Sequence, residues 1–313
     1  MRAVVISEGE IVIEGRVDPE PGALEALVRV RAAGLNGADI LQSMGNYPPP
    51  PGVPADMPGM EFAGEVVAGG PGVTRFRPGE RVMSLALGAA QAELVVVNER
   101  MLMPVPDNLD WPEAGGLPEV FTTAHDAIFT QCELQFGERL LVHGAAGGVG
   151  TAAVQLGRAA GARVSATVRN PDQREAVAAL GATVLDPEEF VDQGPYDVIL
   201  ELVGAPNMFD NLRALNTGGR IAVIGVGAGA TVNALSLGLL MARRARIHGS
   251  TLRARPLEQR ALATRAVERH VLPLFASGTL RVPLAKTYPL ADAAAAYAHF
   301  AGGGKLGKIV LTM

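Results

Sequence analysis

The first third of the chain consists of short apolar runs broken by polar residues and turns. Residues 27–33 place Val28 and Val30 between Arg29 and Arg31, which predicts a strand with one buried face. Further strand-like runs, punctuated by Gly and Pro, lie at residues 2–6, 11–13, 62–68, 81–87 and 92–97. This pattern predicts a small β-barrel or sandwich-like domain.

From about residue 111, strand-like runs alternate with helix-like runs, which is the signature of parallel βαβ units. Strands are predicted at residues 139–143, 163–168, 197–202, 220–225 and 246–252. Helices are predicted at residues 151–160, 172–180, 257–275 and 291–300, with a last strand at 308–311. The chain is therefore expected to be an α/β protein with a Rossmann-type doubly wound parallel sheet and a second, β-rich domain.

A glycine cluster, GAAGGVG at residues 144–150, lies between a predicted strand and a predicted helix. Glycines allow a tight turn and a close approach of the backbone to a pyrophosphate, and the free amides at a helix start attract phosphate. The first position of a GxGxxG motif is Ala145 here, so the glycines alone are weak evidence. Their place between strand and helix predicts dinucleotide binding; the alternative is a tight turn without a ligand.

The end of the next strand indicates which nicotinamide cofactor is favoured. An NAD site usually has Asp or Glu there to bind the ribose 2′-hydroxyl, but this chain has Arg169 and Asn170, with no carboxylate before Asp172. Arg169 would bind a 2′-phosphate through charge-assisted hydrogen bonds, and Arg174 would add a second cation. We therefore predict NADPH; the alternative is that Arg169 is an ordinary solvated arginine.

Composition narrows the class of protein. The net charge of −5 and the lack of a basic patch argue against nucleic-acid binding. No apolar run reaches the roughly 18 residues of a membrane helix. A single cysteine, Cys132, excludes an intrachain disulfide and permits a reducing compartment, so the cytoplasm is expected. The five histidines show no ligand spacing, and no metal site is predicted.

Several motifs together resemble the quinone oxidoreductase (zeta-crystallin-like) branch of the zinc-independent medium-chain dehydrogenases/reductases. They are AGLNGAD at 33–39, GNYP at 45–48, PGMEFAG at 58–64, AAGGVG at 145–150 and GKIV at 307–310. The similarity runs nearly from end to end. Stretches at 91–93, 117–119 and 271–275 look closest to the tumour-suppressor-induced NADPH quinone oxidoreductase type.

The resemblance implies a GroES-like β-barrel domain formed by residues 1–120 and 266–313, and a Rossmann NADPH-binding domain at 121–265. It also implies a homodimer built by edge-to-edge pairing of strand 246–252. Besides Arg169, Asn170 and Arg174 at the end of the second strand, the resemblance implies by position that the cofactor is bound by Thr123, Gly147, Gly148, Val149, Gly150, Val203, Gly225, Val226, Gly227, Thr251, Leu252 and Lys305. The family often has Gly, Ser and Lys around the 2′-phosphate, so Arg169 with Asn170 is a departure.

The expected chemistry follows from the absence of zinc ligands. Met60 stands where the wider superfamily has a zinc-binding histidine, and without a Lewis acid the acceptor must take hydride easily, as a quinone or activated enone does. Tyr47 is the candidate for stacking on the acceptor or donating to its oxygen, and Asn36 for bonding the nicotinamide ribose or the acceptor. The alternatives are that Tyr47 only packs and that Asn36 only satisfies a buried loop.

We therefore expect a zinc-independent NADPH:quinone oxidoreductase, with one-electron and two-electron transfer both open. The alternatives are an NADPH-dependent alkenal or enone double-bond reductase and a non-catalytic NADPH-binding protein with a sensor or structural role.

Overall fold

A computed structural model describes residues 1–313. The chain divides into two compact units, one formed by Met1–Thr122 with Leu252–Met313 and the other by Thr123–Thr251. The second unit ends earlier than the predicted nucleotide domain, which reached residue 265. The physical reason is that Leu252 and Ala261 pack into the core of the first unit, together with Phe62 and Leu102.

The chain forms fifteen strands and ten α-helices. The strands are β1 (Arg2–Ser7), β2 (Glu10–Gly15), β3 (Glu25–Gly34), β4 (Glu61–Gly69), β5 (Arg81–Leu85), β6 (Leu94–Asn98), β7 (Leu102–Pro104), β8 (Arg139–Val142), β9 (Arg163–Thr167), β10 (Thr183–Leu185), β11 (Tyr196–Glu201), β12 (Leu215–Val223), β13 (Arg246–Gly249), β14 (Leu284–Pro289) and β15 (Lys308–Thr312). The helices are α1 (Gly37–Ser43), α2 (Trp111–Gly115), α3 (Pro118–His125), α4 (Gly148–Ala159), α5 (Arg174–Ala178), α6 (Met208–Ala214), α7 (Leu237–Arg243), α8 (Leu257–His270), α9 (Leu272–Ala276) and α10 (Ala293–Gly302).

The first unit is built on a seven-stranded sheet. Its order is β14-β15-β3-β4-β5-β7, and β6 also pairs with β3. Neighbours are antiparallel except β14 and β15, which are parallel. The alternation predicted for residues 27–33 is present, because Val28 and Val30 are buried while Arg29 is exposed.

The second unit contains a six-stranded parallel sheet in the order β10-β9-β8-β11-β12-β13. This is the doubly wound order of a dinucleotide-binding sheet, in which the strand order reverses between the first and fourth strands. Here those strands are β8 and β11. The carboxyl ends of parallel strands share one edge, so the loops that follow β8, β9, β11 and β12 lie along the same side of the sheet.

Three predicted elements differ from the structure. The helix expected at 257–275 is two helices, α8 and α9, because Pro273 lacks an amide hydrogen and its ring would clash with a preceding carbonyl. The strand expected at 246–252 ends at Gly249. The helix expected at 172–180 is a 3-10 turn at Pro171–Gln173 followed by the short α5. No helix has the length and apolar character needed to cross a membrane.

Candidate cofactor and acceptor sites

The glycine cluster forms an uncapped helix start. Strand β8 ends at Val142 and α4 begins at Gly148, with Gly147 as an N-cap that has no capping side chain. The first helical hydrogen bond runs from Thr151 N to Gly147 O, 2.9 Å, so the amides before Thr151 have no intrahelical partner. A Cβ at Gly150 would lie 2.6 Å from Ala145 Cα, so the loop can pack this closely only with glycine there. These free donors fit a pyrophosphate.

The other cofactor residues predicted in this unit fall into two groups. Thr123 lies in α3. The rest follow the carboxyl ends of parallel strands and so share one edge of the sheet. They are Arg169 and Asn170 after β9, Val203 after β11, Gly225, Val226 and Gly227 after β12, and Thr251 after β13.

The two arginines predicted for the 2′-phosphate have different surroundings. Arg174 is engaged: its Nη2 lies 2.6 Å from Asp186 Oδ2 and its Nε donates to Val168 O at 3.2 Å. Arg169 is exposed and has no carboxylate partner. Asn170 uses its side-chain oxygen to accept from Asp172 N at 3.1 Å. Of the two arginines, Arg169 therefore has the guanidinium free to meet an anion.

Behind the carboxyl edge lies a buried polar network that sequence reasoning missed. His143 contacts Thr167 Oγ1 at 2.9 Å and Asn211 Oδ1 at 2.8 Å through its two ring nitrogens. Asn211 Nδ2 donates to Glu201 Oε2 at 2.7 Å. Burial lowers the pKa of His143, which keeps the ring neutral at neutral pH. The network ties together the ends of β8, β9 and β11.

Glu201, a member of this network, binds the backbone of a predicted cofactor residue, Val203. Its side chain is fully buried, and its Oε1 accepts from Val203 N at 2.6 Å and Gly204 N at 2.8 Å. The carboxylate thus fixes the backbone that carries Val203. The available signal was an acidic residue, Glu201, at the end of the apolar run Val198–Leu200 and shortly before Val203 and Gly204.

In the first unit, Asn36 is held by two charged neighbours. Its Nδ2 donates to Glu61 Oε1 at 2.9 Å and its Oδ1 accepts from Lys308 Nζ at 2.7 Å. The side chain is 8% exposed, and one amide hydrogen is left over from these bonds. The fold therefore uses most of this amide, as the alternative interpretation of Asn36 expected, and a contact between Asn36 and a ligand stays a prediction.

Lys308 and Glu61 form a buried ion pair that the sequence did not reveal. The Lys308 Nζ lies 2.5 Å from Glu61 Oε1 and also donates to Leu35 O at 2.7 Å. Glu61 Oε2 accepts from Glu119 N at 2.8 Å. Next to the pair, Asp39 accepts from two backbone amides, and burial raises the pKa of Asp39 to about 6.

Tyr47 is half-buried and is anchored by an arginine that the sequence did not single out. The Arg253 guanidinium carbon lies 5.2 Å from the centre of the Tyr47 ring, and its Nη1 donates to Tyr47 O at 3.2 Å. Arg253 also bonds Leu87 O and Gln42 Oε1, both at 2.7 Å. Burial lowers the pKa of Arg253, which is 5% exposed. Tyr47 is therefore held in place by its neighbour.

Leu252 and Lys305, also predicted for the cofactor, belong to the first unit. Leu252 is buried in that unit's core. Lys305 is half-buried, with its Nζ 3.5 Å from the centre of the Phe300 ring. Burial, and secondarily the charge of Lys308, lowers the pKa of Lys305 to about 8. No three His, Cys, Asp or Glu side chains are grouped as metal ligands.

Two family models match the chain, one for each type of domain. The alcohol dehydrogenase GroES-like domain matches residues 22–107 and the zinc-binding dehydrogenase model matches residues 148–268. These matches confirm the predicted fold class, a GroES-like domain with a Rossmann domain. The second model's description mentions zinc, whereas this chain has Met60 where the wider superfamily has a zinc-binding histidine.

Three comparisons with individual proteins extend this result. The chain is 29% identical over 330 residues to the quinone oxidoreductase of Rattus norvegicus, covering 100% of this chain and 98% of that protein. It is 34% identical over 300 residues to the spectinabilin polyketide synthase system protein NorB of Streptomyces orinoci, covering 91% of this chain. The match takes up 13% of NorB, so the chain spans a small part of that relative. A solved structure, a probable oxidoreductase from Mycobacterium abscessus, is 31% identical, with a TM-score of 0.84, covering 100% of this chain and 99% of that one.

The similarity therefore extends over both domain types and over the full length of several oxidoreductases. The motifs quoted from the sequence, the two domain models and the end-to-end matches agree with one another. The chain belongs to the quinone oxidoreductase branch of the medium-chain dehydrogenases/reductases, a family of nicotinamide-dependent oxidoreductases.

Proposed function

We propose that this protein is a zinc-independent NADPH:quinone oxidoreductase. The observation that carries the proposal is the set of free amides at Gly148–Gly150, the start of α4, combined with an unpaired Arg169 on the same edge of the parallel sheet. A quinone oxidoreductase that matches the chain from end to end supports the acceptor class. Met60, in place of a zinc-binding histidine, supports a reaction without zinc.

The chain's own residues would bind and orient the reactants. The amides at Gly148–Gly150 hold the pyrophosphate, and Arg169 binds the 2′-phosphate through charge-assisted hydrogen bonds. Val203, fixed by Glu201, and the Gly225–Gly227 loop shape the edge of the sheet beside the cofactor. Tyr47, held by Arg253, contacts the acceptor. Bound NADPH would supply the reducing equivalents; if they are transferred as hydride, one NADPH and one proton would convert one quinone to its hydroquinone.

The test is oxidation of NADPH and NADH with 1,4-benzoquinone, by wild type, Arg169→Ala and a control, Arg163→Ala. Arg163 is an exposed arginine at the opposite end of the same strand. We expect wild type to prefer NADPH, and Arg169→Ala to raise the KM for NADPH about tenfold or more while leaving that for NADH unchanged. Preference for NADH, or equal effects of the two substitutions, would show that the assignment of NADPH is wrong.

A second candidate is an NADPH-dependent reductase of enone or alkenal double bonds. The observation in its favour is that the chain is 34% and 35% identical to two polyketide synthases but 28–29% identical to the curated quinone oxidoreductases. An enone, like a quinone, accepts hydride on a carbon conjugated to a carbonyl group. Formation of a saturated product from an alkenal, with no quinone consumption, would favour this function. NADPH binding without turnover of either acceptor would favour the non-catalytic role.

We also propose that two copies associate through β13 and that the protein works in the cytoplasm. Strand β13 is an edge strand of the six-stranded sheet, so one side of its backbone is available for pairing with a second copy. Sedimentation of Ile247→Pro, which removes one backbone donor from this strand, should show monomers where wild type shows dimers. A dimeric Ile247→Pro would contradict this interface. The single cysteine supports a reducing compartment, and cell fractionation tests the location.

A further inference from the structure

The first unit contains a partly open cavity of about 790 Å³, and Tyr47 is not among the residues that line it. This volume is typical of sites for drug-sized ligands, which span roughly 300–1,000 Å³. The cavity is lined mainly by apolar side chains, and both the barrel strands and the start of α8 contribute to it. Examples are Val53, Met57, Leu85, Leu87, Val96 and Leu257.

The charged residues around the cavity are mostly bonded to one another or to backbone. Arg16 Nη2 lies 2.5 Å from Asp56 Oδ2 and 3.1 Å from Glu14 Oε2. Glu25 accepts from Gly22 N at 2.9 Å, and Arg260 Nε donates to Arg255 O at 3.0 Å. Arg16 Nε is a buried polar atom of the lining without a hydrogen-bond partner. The rest of the wall is mainly apolar, which favours a hydrocarbon ligand.

One wall of the cavity is shared with the residues that anchor Tyr47. Gly88 lines the cavity, and a Cβ at Gly88 would lie 2.7 Å from Val53 Cγ1 and 3.4 Å from Arg253 Nη2. The same Arg253 donates to Leu87 O, in the cavity lining, and to Tyr47 O. A ligand in the cavity therefore lies against the segment that presents Tyr47.

We propose that this cavity holds the apolar tail of the acceptor, a linear alkyl or prenyl chain attached to the carbonyl-bearing head group that Tyr47 contacts. The proposal rests on the proposed function, because it names the class of quinone or enone that the same site prefers. A chain in this cavity is removed from water, and each buried methylene group strengthens binding roughly fourfold. The preferred acceptors are then lipid-like, and unsubstituted quinones are poor ligands.

The first experiment measures binding without turnover. Titration calorimetry with 1-hexanol, 1-octanol and 1-decanol should show the Kd falling roughly fourfold per added methylene group. The second experiment compares two acceptors, unsubstituted benzoquinone and its n-decyl derivative, by their KM values. In wild type the decyl compound should have the KM lower by at least about a hundredfold, with allowance for incomplete burial of the chain.

The variant Val96→Trp fills the cavity from β6, and Leu262→Trp is the matched control. Leu262 lies on α8 but is 70% exposed and does not line the cavity. Val96→Trp should reduce the KM ratio of the two quinones at least about tenfold and should abolish the fall of the alkanol Kd with chain length. Leu262→Trp should change neither quantity. Leu257→Trp, at the other wall, is the substitute if Val96→Trp does not fold.

An alkanol series without dependence on length, or a series unchanged in the tryptophan variants of the lining, would overturn the proposal. Turnover of benzoquinone, together with an alkanol Kd that does not depend on chain length, would support the quinone function and refute binding of the acceptor tail in this cavity. A steep alkanol series that the lining variants abolish, in a protein that reduces no quinone, would uphold the cavity and refute the quinone function.

Discussion

Lys308→Met tests whether the buried ion pair with Glu61 stabilises the first unit. Lys308 is 3% exposed and Glu61 is fully buried, and the lysine donates to Glu61 Oε1, Asn36 Oδ1 and Leu35 O within 2.5–2.7 Å. Methionine has a similar length but neither the charge nor the donors. After the substitution, the Glu61 carboxylate keeps the Asn36 and Glu119 donors but has no compensating charge.

Removing one partner of a buried ion pair typically costs about 3–5 kcal/mol, because the other charge stays buried and unpaired. We expect Lys308→Met to lower the free energy of unfolding by this amount, and Glu61→Gln to lower it similarly. The double variant removes both charges, and the introduced glutamine side chain can still accept a hydrogen bond from a neighbouring amide. The loss in the double variant should therefore be smaller than the sum of the single losses by at least about 2 kcal/mol.

The assay is urea unfolding followed by the fluorescence of Trp111, the chain's single tryptophan. Trp111 begins α2, which packs against β15, the strand that carries Lys308, so its signal reports on the first unit. Lys286→Met is the matched control, because Lys286 is exposed on the neighbouring strand β14, and it should cost no more than about 0.5 kcal/mol. A loss below about 1 kcal/mol for Lys308→Met, or additive losses in the double variant, would refute this reasoning.

Three further predictions concern single positions. Glu201→Gln should weaken NADPH binding several-fold in fluorescence titration, because the neutral amide holds the Val203 and Gly204 amides less strongly than the carboxylate does; unchanged binding would contradict this. The pKa of Asp39 in the folded protein is about 6, above its usual value of 3.8, so folding favours the protonated carboxyl group. Stability relative to Asp39→Asn should therefore fall by about 2 kcal/mol as pH rises from 4 to 7, measured by urea unfolding; a difference independent of pH would argue against a buried, titrating Asp39. Gly150→Ala should weaken NADPH binding about tenfold or more, because the new Cβ lies 2.6 Å from backbone atoms of the preceding loop, while Gly147→Ala, where the nearest atom is 3.5 Å away, should bind more tightly than Gly150→Ala.

Short-range patterns along the chain were sufficient to predict the fold class and the position of the glycine loop. The alternation at residues 27–33, the βαβ succession and the glycine cluster each depend on neighbours a few residues apart, where dihedral preferences and periodicity act. Strand β8, the glycine loop and helix α4 therefore lie where they were predicted, with α4 beginning at Gly148 rather than 151. The same reasoning predicted the strands that end before Arg169 and Val203 and near Gly225, whereas the cofactor roles of Val203 and Gly225 came from the resemblance to the family.

The tertiary structure alone decided which polar side chains meet. Glu61 and Lys308 lie 247 positions apart, and His143, Thr167, Glu201 and Asn211 come from four separate elements. The neighbouring sequence does not indicate which distant residues will pair, because a buried charge or amide is satisfied by whichever hydrogen-bonding groups the packed strands bring to it. The assignment of residues 252–265 to the first unit has the same origin. Helix α8 has an ordinary helical sequence, and only its packing against the barrel core determines the unit to which it belongs.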